Sequence, residues 1–118
     1  DGSAYSSFEV SGASKTNIGK YGTAKCAGHR LDKKNLLEEQ QIFCNVELSD
    51  GNTYSFMQTR VKTDIDAGVG KTVIIDGTGP FKNLSGKECI YAVKYLKKHA
   101  FVTTKCKISD RVFKLLKE

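Results

Sequence analysis

"VIIDGTGPFKNLSGKECIYAVKY", Val73–Tyr95, sets two strand-like runs around a corner carrying Gly77, Gly79 and the chain's only proline, Pro80. The run before the corner is β-branched. The run after it alternates, with Cys89, Tyr91, Val93 and Tyr95 against Ile90, Ala92 and Leu96, the period of a strand with two different faces. Gly77 and Gly79 admit backbone conformations closed to other residues. Pro80 donates no ladder hydrogen bond and marks an edge or a bulge. Phe81 and Leu84 supply apolar anchors beneath the corner. Just upstream, "GVGKT" (Gly68–Thr72) invites comparison with a phosphate-binding loop. That motif requires a glycine five residues before Gly70, where Ile65 stands, and a helix after the lysine. Here "KTVIID" continues as a strand, so a plain β-turn is the reading.

Outward from this corner the chain keeps the same period. "AYSSFEVSG" is a first strand with an irregularity between Tyr5 and Phe8. "IGKYGTAKCAG" is a second, whose glycines suggest bulges or close backbone approach. "HRLDKKNLLEEQ" reads either as one helical turn capped by Asn35 and Glu38 or as a long hairpin loop. "QIFCNVEL" alternates Ile42, Cys44, Val46 and Leu48, and the Asp50–Gly51 pair that follows is a strong hairpin signal. "TYSFMQTRVK" returns, "TDIDAGVG" is rich in turn residues, and "FVTTKCKI" follows a short turn at "KKHA". The tail "SDRVFKLLKE" changes period: Val112, Leu115 and Leu116 make a short amphipathic helix over 109–118, capped by Ser109 or Asp110. The expectation is a single all-β domain over 1–118, with residues 1–4 frayed. Seven to eight antiparallel strands would close into a barrel or stack as a sandwich, and closure is preferred because it removes exposed edges.

The 118 residues hold four cysteines, Cys26, Cys44, Cys89 and Cys106, with no C-x-x-C pair. An even count in a small glycine-rich chain points to disulfides and an oxidising compartment, secreted or periplasmic; four buried free thiols are the alternative. Of the three connectivities, Cys26–Cys44 with Cys89–Cys106 is preferred, because each joins neighbouring strands. No apolar run approaches the roughly 20 residues that span a bilayer. The formal net charge of +6 favours an acidic partner, although dispersed lysines also make an ordinary solvated surface.

The residues "GTGPFKNLSGKECIYAV", Gly77–Val93, resemble the central corner of the allene oxide cyclase and dirigent-like barrels. The resemblance implies a calycin-like barrel with a central cavity. The cyclase's catalytic residues have no counterpart here, and the four cysteines depart from that pattern.

Candidate sites follow from the barrel. Tyr54, Phe56, Gln58 and Arg60 share one face of their strand, and Tyr91 and Tyr95 can look into the same lumen. Aromatics followed by an amide and a guanidinium make a wall for a small amphipathic or anionic ligand; the competing reading buries Met57, Thr59 and Val61 instead. Arg30, Lys33 and Lys34 in one loop and Lys97, Lys98 and His99 in another would form a basic rim at one end. His29 and His99 suggest acid–base chemistry only if the fold joins them. Tyr21, Tyr54 and Tyr91 could stack bases, but nucleic acid is not the expected partner of a disulfide-bonded secreted protein. No catalytic set, metal-ligand spacing or cofactor motif stands out. "NLS", Asn83–Ser85, is a formal glycosylation triplet. The leading expectation is a ligand-binding barrel. The alternatives are an interaction protein with the barrel as scaffold, and a small nuclease or isomerase.

Overall fold

A computed structural model describes residues 3–34, 36–64, 67–97 and 99–117, and of 61–64 and 67 the backbone alone. Seven strands follow one another: β1 (Ser3–Lys15), β2 (Tyr21–Lys33), β3 (Leu36–Leu48), β4 (Thr53–Asp64), β5 (Ala67–Gly77), β6 (Glu88–Leu96) and β7 (His99–Cys106). A 3-10 helix, Gly79–Leu84, joins β5 to β6, and α1 (Asp110–Lys117) ends the chain. The strands form one antiparallel meander, each paired with its neighbours in sequence. The sheet curls into half a barrel rather than the closed cylinder expected from sequence: among the described residues β1 pairs only with β2, and β7 only with β6. The molecule is long, 52 × 23 × 21 Å.

Period two sets the two faces. Leu48, Val46 and Cys44 on β3 and Ile74 on β5 are buried, while Asn45 and Glu47 between them are exposed. The register carries this parity across the sheet, as in Cys26↔Cys44↔Phe56↔Ile74. Two cysteine pairs lie directly opposite each other in that register, and both are bonded: Cys26–Cys44 and Cys89–Cys106. Their Cα separations of 4.1 and 4.5 Å belong to antiparallel pairs that exchange no backbone hydrogen bonds, where side chains come closest.

The core gathers at one end of the half-barrel. Val46, Leu48, Ile74, Phe81, Leu84, Cys89 and Leu116 cluster there, flanked by Tyr54, Phe56 and Val112. The Tyr54 ring stacks on Phe81 at 5.5 Å. The helix therefore covers the protein's own core, and Ser109 Oγ accepts from the Val112 N–H at 3.2 Å as its cap. The Asp50–Gly51 hairpin forms as read. Gly51 takes φ +88°, and an Asp50 carboxylate oxygen accepts from the Asn52 N–H at 2.8 Å. Lys20, from the neighbouring hairpin, pairs with Asp50 at 2.7 Å and ties the two turns together.

Local expectations change where tertiary contacts decide. Gly68–Thr72 is strand β5, not a turn. Pro80 sits in the first turn of the 3-10 helix, where its missing N–H has no partner to lose, rather than at a strand edge. β1 is regular from Ser3, which pairs with Lys33, through Tyr5 and Phe8, so the irregularity expected between Tyr5 and Phe8 does not exist. β2 has no bulge at its glycines. Its register shift falls at Leu31/Asp32. Gly22 and Gly28 instead serve close approach, because a Cβ would strike the carbonyl oxygens of Glu47 and Gln41 on β3. Glu38 lies in β3, so "HRLDKKNLLEEQ" is hairpin and not helix; Asn35 and Lys98 lie outside the described residues.

Each disulfide closes a loop of 18 or 17 residues, worth about 3 kcal/mol in the chain-entropy model. Native protein should incorporate no thiol-alkylating reagent, and four equivalents after reduction under denaturing conditions, as read by mass. Replacing Cys89 and Cys106 together by alanine should lower the unfolding free energy by about 2–4 kcal/mol in denaturant melts.

Candidate functional site

The face carrying Tyr54, Phe56, Gln58 and Arg60 points into the curl, as the ligand-wall reading requires. Gln58 is buried and Arg60 is only 1 % exposed, whereas Met57 and Thr59 on the opposite face stay partly exposed. Tyr91 and Tyr95 on β6 share the inner face, Tyr91 at 2 % exposure and Tyr95 partly buried. The inner surface is divided along its length. Tyr54 and Phe56 join the apolar cluster, while Gln40, Gln58, Arg60, Thr72 and Tyr91 make a buried polar group toward the other end. Gln40 and Thr72 were not singled out by sequence, although both occupy inward positions of their strands.

Register explains the polar group. Arg30, Gln40 and Arg60 stand opposite one another on β2, β3 and β4, and Gln58, Thr72 and Cys89 do so on β4, β5 and β6. Gly70 pairs with Tyr91, and the tyrosine ring occupies the space a side chain at Gly70 would take: a Cβ there would lie 2.6 Å from Cε1. The glycine is thus a seat for the ring. Tyr91 Oη and Thr72 Oγ1 are buried without a hydrogen-bond partner among the described residues. Burial pushes the Tyr91 phenol up to about 12, against the opposing pull of the Arg60 charge. Burial also raises Tyr54, offset in part by a hydrogen bond from the Ser14 side chain.

The meander brings the basic loops to one end, because the β2–β3 and β6–β7 turns both follow even-numbered strands. Arg30, Lys33 and Lys34 therefore share an end with Lys97 and His99. Arg30 is committed to Asp32, whose Oδ2 accepts from Nε at 3.1 Å and Nη2 at 2.8 Å. Lys33, Lys34, Lys97 and His99 are exposed. His29 and His99 fall on β2 and β7. His29 contacts Gln41 Oε1 at 3.3 Å and stacks with Tyr5, so its environment is not that of a paired acid–base site. Tyr21 lies exposed on the outer face while Tyr54 and Tyr91 point inward, so the three do not form a common stacking platform. Asn83 is exposed, its amide donating to the Pro80 carbonyl at 2.8 Å.

Depressions lie away from the polar group. One, of about 120 Å³, is bordered by Tyr54, Asp76 and Thr78. A broader, open one of about 470 Å³ lies over Phe8 and Gly28. Large apolar side chains are exposed across the sheet, at Tyr5, Tyr21 and Val69 and, on the last strands, at Ile90 (65 %), Phe101 (61 %) and Val102 (49 %). All eight residues of β7 are exposed.

Comparison with protein-family models, curated proteins and solved structures finds no match to this chain. The likeness of Gly77–Val93 to the allene oxide cyclase and dirigent-like barrels rests on those residues alone.

Tyr91 gives the inner face a measurable signature. Below pH 10 its neutral phenol is present in folded and unfolded chains alike. Between 10 and about 12 the unfolded phenol ionises first, so stability should fall as pH rises through this window. Absorbance titration of the tyrosines should show a late step near 12, absent in Tyr91→Phe.

Proposed function

We propose that this chain is an interaction module of an oxidising compartment, secreted or periplasmic, whose stapled half-barrel is a scaffold and whose C-terminal edge contacts a partner protein. The observation that carries this reading is the exposure of Ile90, Phe101 and Val102 on adjoining strands at an open edge of the sheet. Unpaired strand edges template pairing with another chain, and Phe101 and Val102 put an exposed apolar side chain on each face of this one. Buried Arg60, Gln58 and Tyr91 then serve the scaffold. Closure toward a full cylinder belongs to the complex, with the partner occupying part of the gap beyond β7.

A second reading retains the small amphipathic or anionic ligand. Its support is the inward-facing guanidinium of Arg60 beside the Tyr91 and Thr72 hydroxyls, which lack hydrogen-bond partners among the described residues, together with the cavity implied by the Gly77–Val93 resemblance. Such a ligand would have to open the packed polar group to enter.

The two readings separate in one comparison. Immobilised protein should retain a partner from the fluid of its native compartment. Phe101→Ser with Val102→Ser should lose that partner, while Phe43→Ser on β3 keeps it and circular dichroism confirms that both variants are folded. Decanoate, as an amphipathic anion, should leave the melting temperature unchanged. A rise with decanoate that Arg60→Ala abolishes would establish the ligand reading instead.

A further inference from the structure

The open edge has a chemistry of its own. Charge is divided unevenly along the chain: residues 79–118 hold ten Lys and Arg against three Asp and Glu, whereas residues 1–78 hold nine against ten. The whole of the net +6 therefore comes from the part of the chain that builds β6, β7 and α1. β7 contains no acidic residue. On its outer face His99, Phe101, Thr103 and Lys105 succeed one another, with Lys94 of β6 opposite Phe101. Glu88 at the start of β6 faces Lys71 at 3.5 Å.

Parity also fixes which backbone groups are open. Cys89 and Cys106 are opposed residues with Cα atoms 4.5 Å apart, the spacing of a pair that exchanges no hydrogen bonds. Along β7 the even-numbered residues Ala100, Val102 and Thr104 belong to the same class. Their N–H and C=O groups turn away from β6, toward the open side. Phe101, Thr103 and Lys105 turn theirs toward β6.

From this arrangement we propose that β7 accepts an extended acidic segment of a partner protein as an eighth strand. Backbone bonds would form at Ala100, Val102 and Thr104. Alternate carboxylates on the added strand would face Lys105 and Lys94 on the outer face, and the apolar side chains between them would cover Val102 on the other face. Strand addition draws affinity from the main chain and selectivity from alternate side chains. A second copy of this chain fits poorly, because pairing β7 with β7 brings Lys105 and the neighbouring Lys94 of each copy together with no acidic residue on either β7, and like charges across an interface oppose association. The inference rests on the interaction-module reading above and specifies its partner.

The probe is an acetylated, amidated heptapeptide of alternating glutamate and valine, with its lysine–valine counterpart as control. In amide-resolved spectra of the intact protein, the acidic peptide should slow hydrogen exchange at Ala100, Val102 and Thr104. Binding should weaken with added salt, and the lysine peptide should not bind. Val102→Pro removes an outward N–H and no bond to β6, so the sheet should remain folded while affinity falls about tenfold. Lys94→Glu with Lys105→Glu should reverse the preference between the two peptides.

No binding of the acidic peptide, equal binding of both peptides, or protection centred on β1 would overturn the proposal. If the native partner is lost in the Phe101→Ser, Val102→Ser variant but kept by Val102→Pro, the interaction reading stands and strand addition is wrong. If both variants keep it, both readings fall.

Discussion

The structure depends on one constraint: side-chain parity must be carried unbroken across the sheet. A slip of one residue in any strand would turn its inner face outward. In β4, Arg60 would then lie in solvent and Tyr54 would leave its stack on Phe81. Two opposed cysteine pairs fix this parity covalently, Cys26–Cys44 between β2 and β3 and Cys89–Cys106 between β6 and β7. The β6–β7 bridge sits at one edge of the sheet, and the β2–β3 bridge lies one strand in from the other edge. Between them β3, β4 and β5 are held by neighbours on both sides and by the 3-10 helix and α1 packed over one end.

That packing divides the inner face into regions with different tasks. At the capped end Phe81, Leu84 and Leu116 bury apolar area against Val46, Leu48 and Ile74, the dominant favourable term in folding. Toward the opposite hairpins the same inward positions are filled by Gln40, Gln58, Arg60, Thr72 and Tyr91. Buried polar groups add net stability only when their hydrogen bonds are met, and the Thr72 and Tyr91 hydroxyls have no partner among the described residues.

Much of this architecture was legible because its signals are local. The alternation of Ile42, Cys44, Val46 and Leu48 gave the inner face of β3. Asp50–Gly51 marked a hairpin, the cysteine spacing gave both bridges, and the shift to helical spacing after Ser109 gave α1. The inward set from Tyr54 to Arg60 followed from period two once a curled sheet was assumed. What was misread depends on distant contacts. Gly68 and Gly70 resemble turn residues in isolation, yet Gly70 is a strand residue whose bare Cα makes room for Tyr91. Gly22 and Gly28 were open to either a bulge or a close approach, and only the position of β3 decides. Closure was inferred from the general disadvantage of free edges. Whether β1 meets β7 is a question about residues some 90 positions apart in the sequence, for which alternation provides no signal.

An edge left open still needs protection. β1 and β7 differ in what they present. β1 is long and serine-rich, and it exposes Tyr5 and Val10. β7 is short, contains no proline or described bulge, and exposes Phe101 and Val102. Without another device, β7 would be the natural place for two copies to join. Lysine is a common deterrent at such edges. Here it lies beside the strand and in the helix that follows it, so the repulsion acts over the whole approach of a like-charged chain. The same field attracts a negatively charged one. Charge that keeps the edge from pairing with itself thereby sets the sign of the partner it can admit.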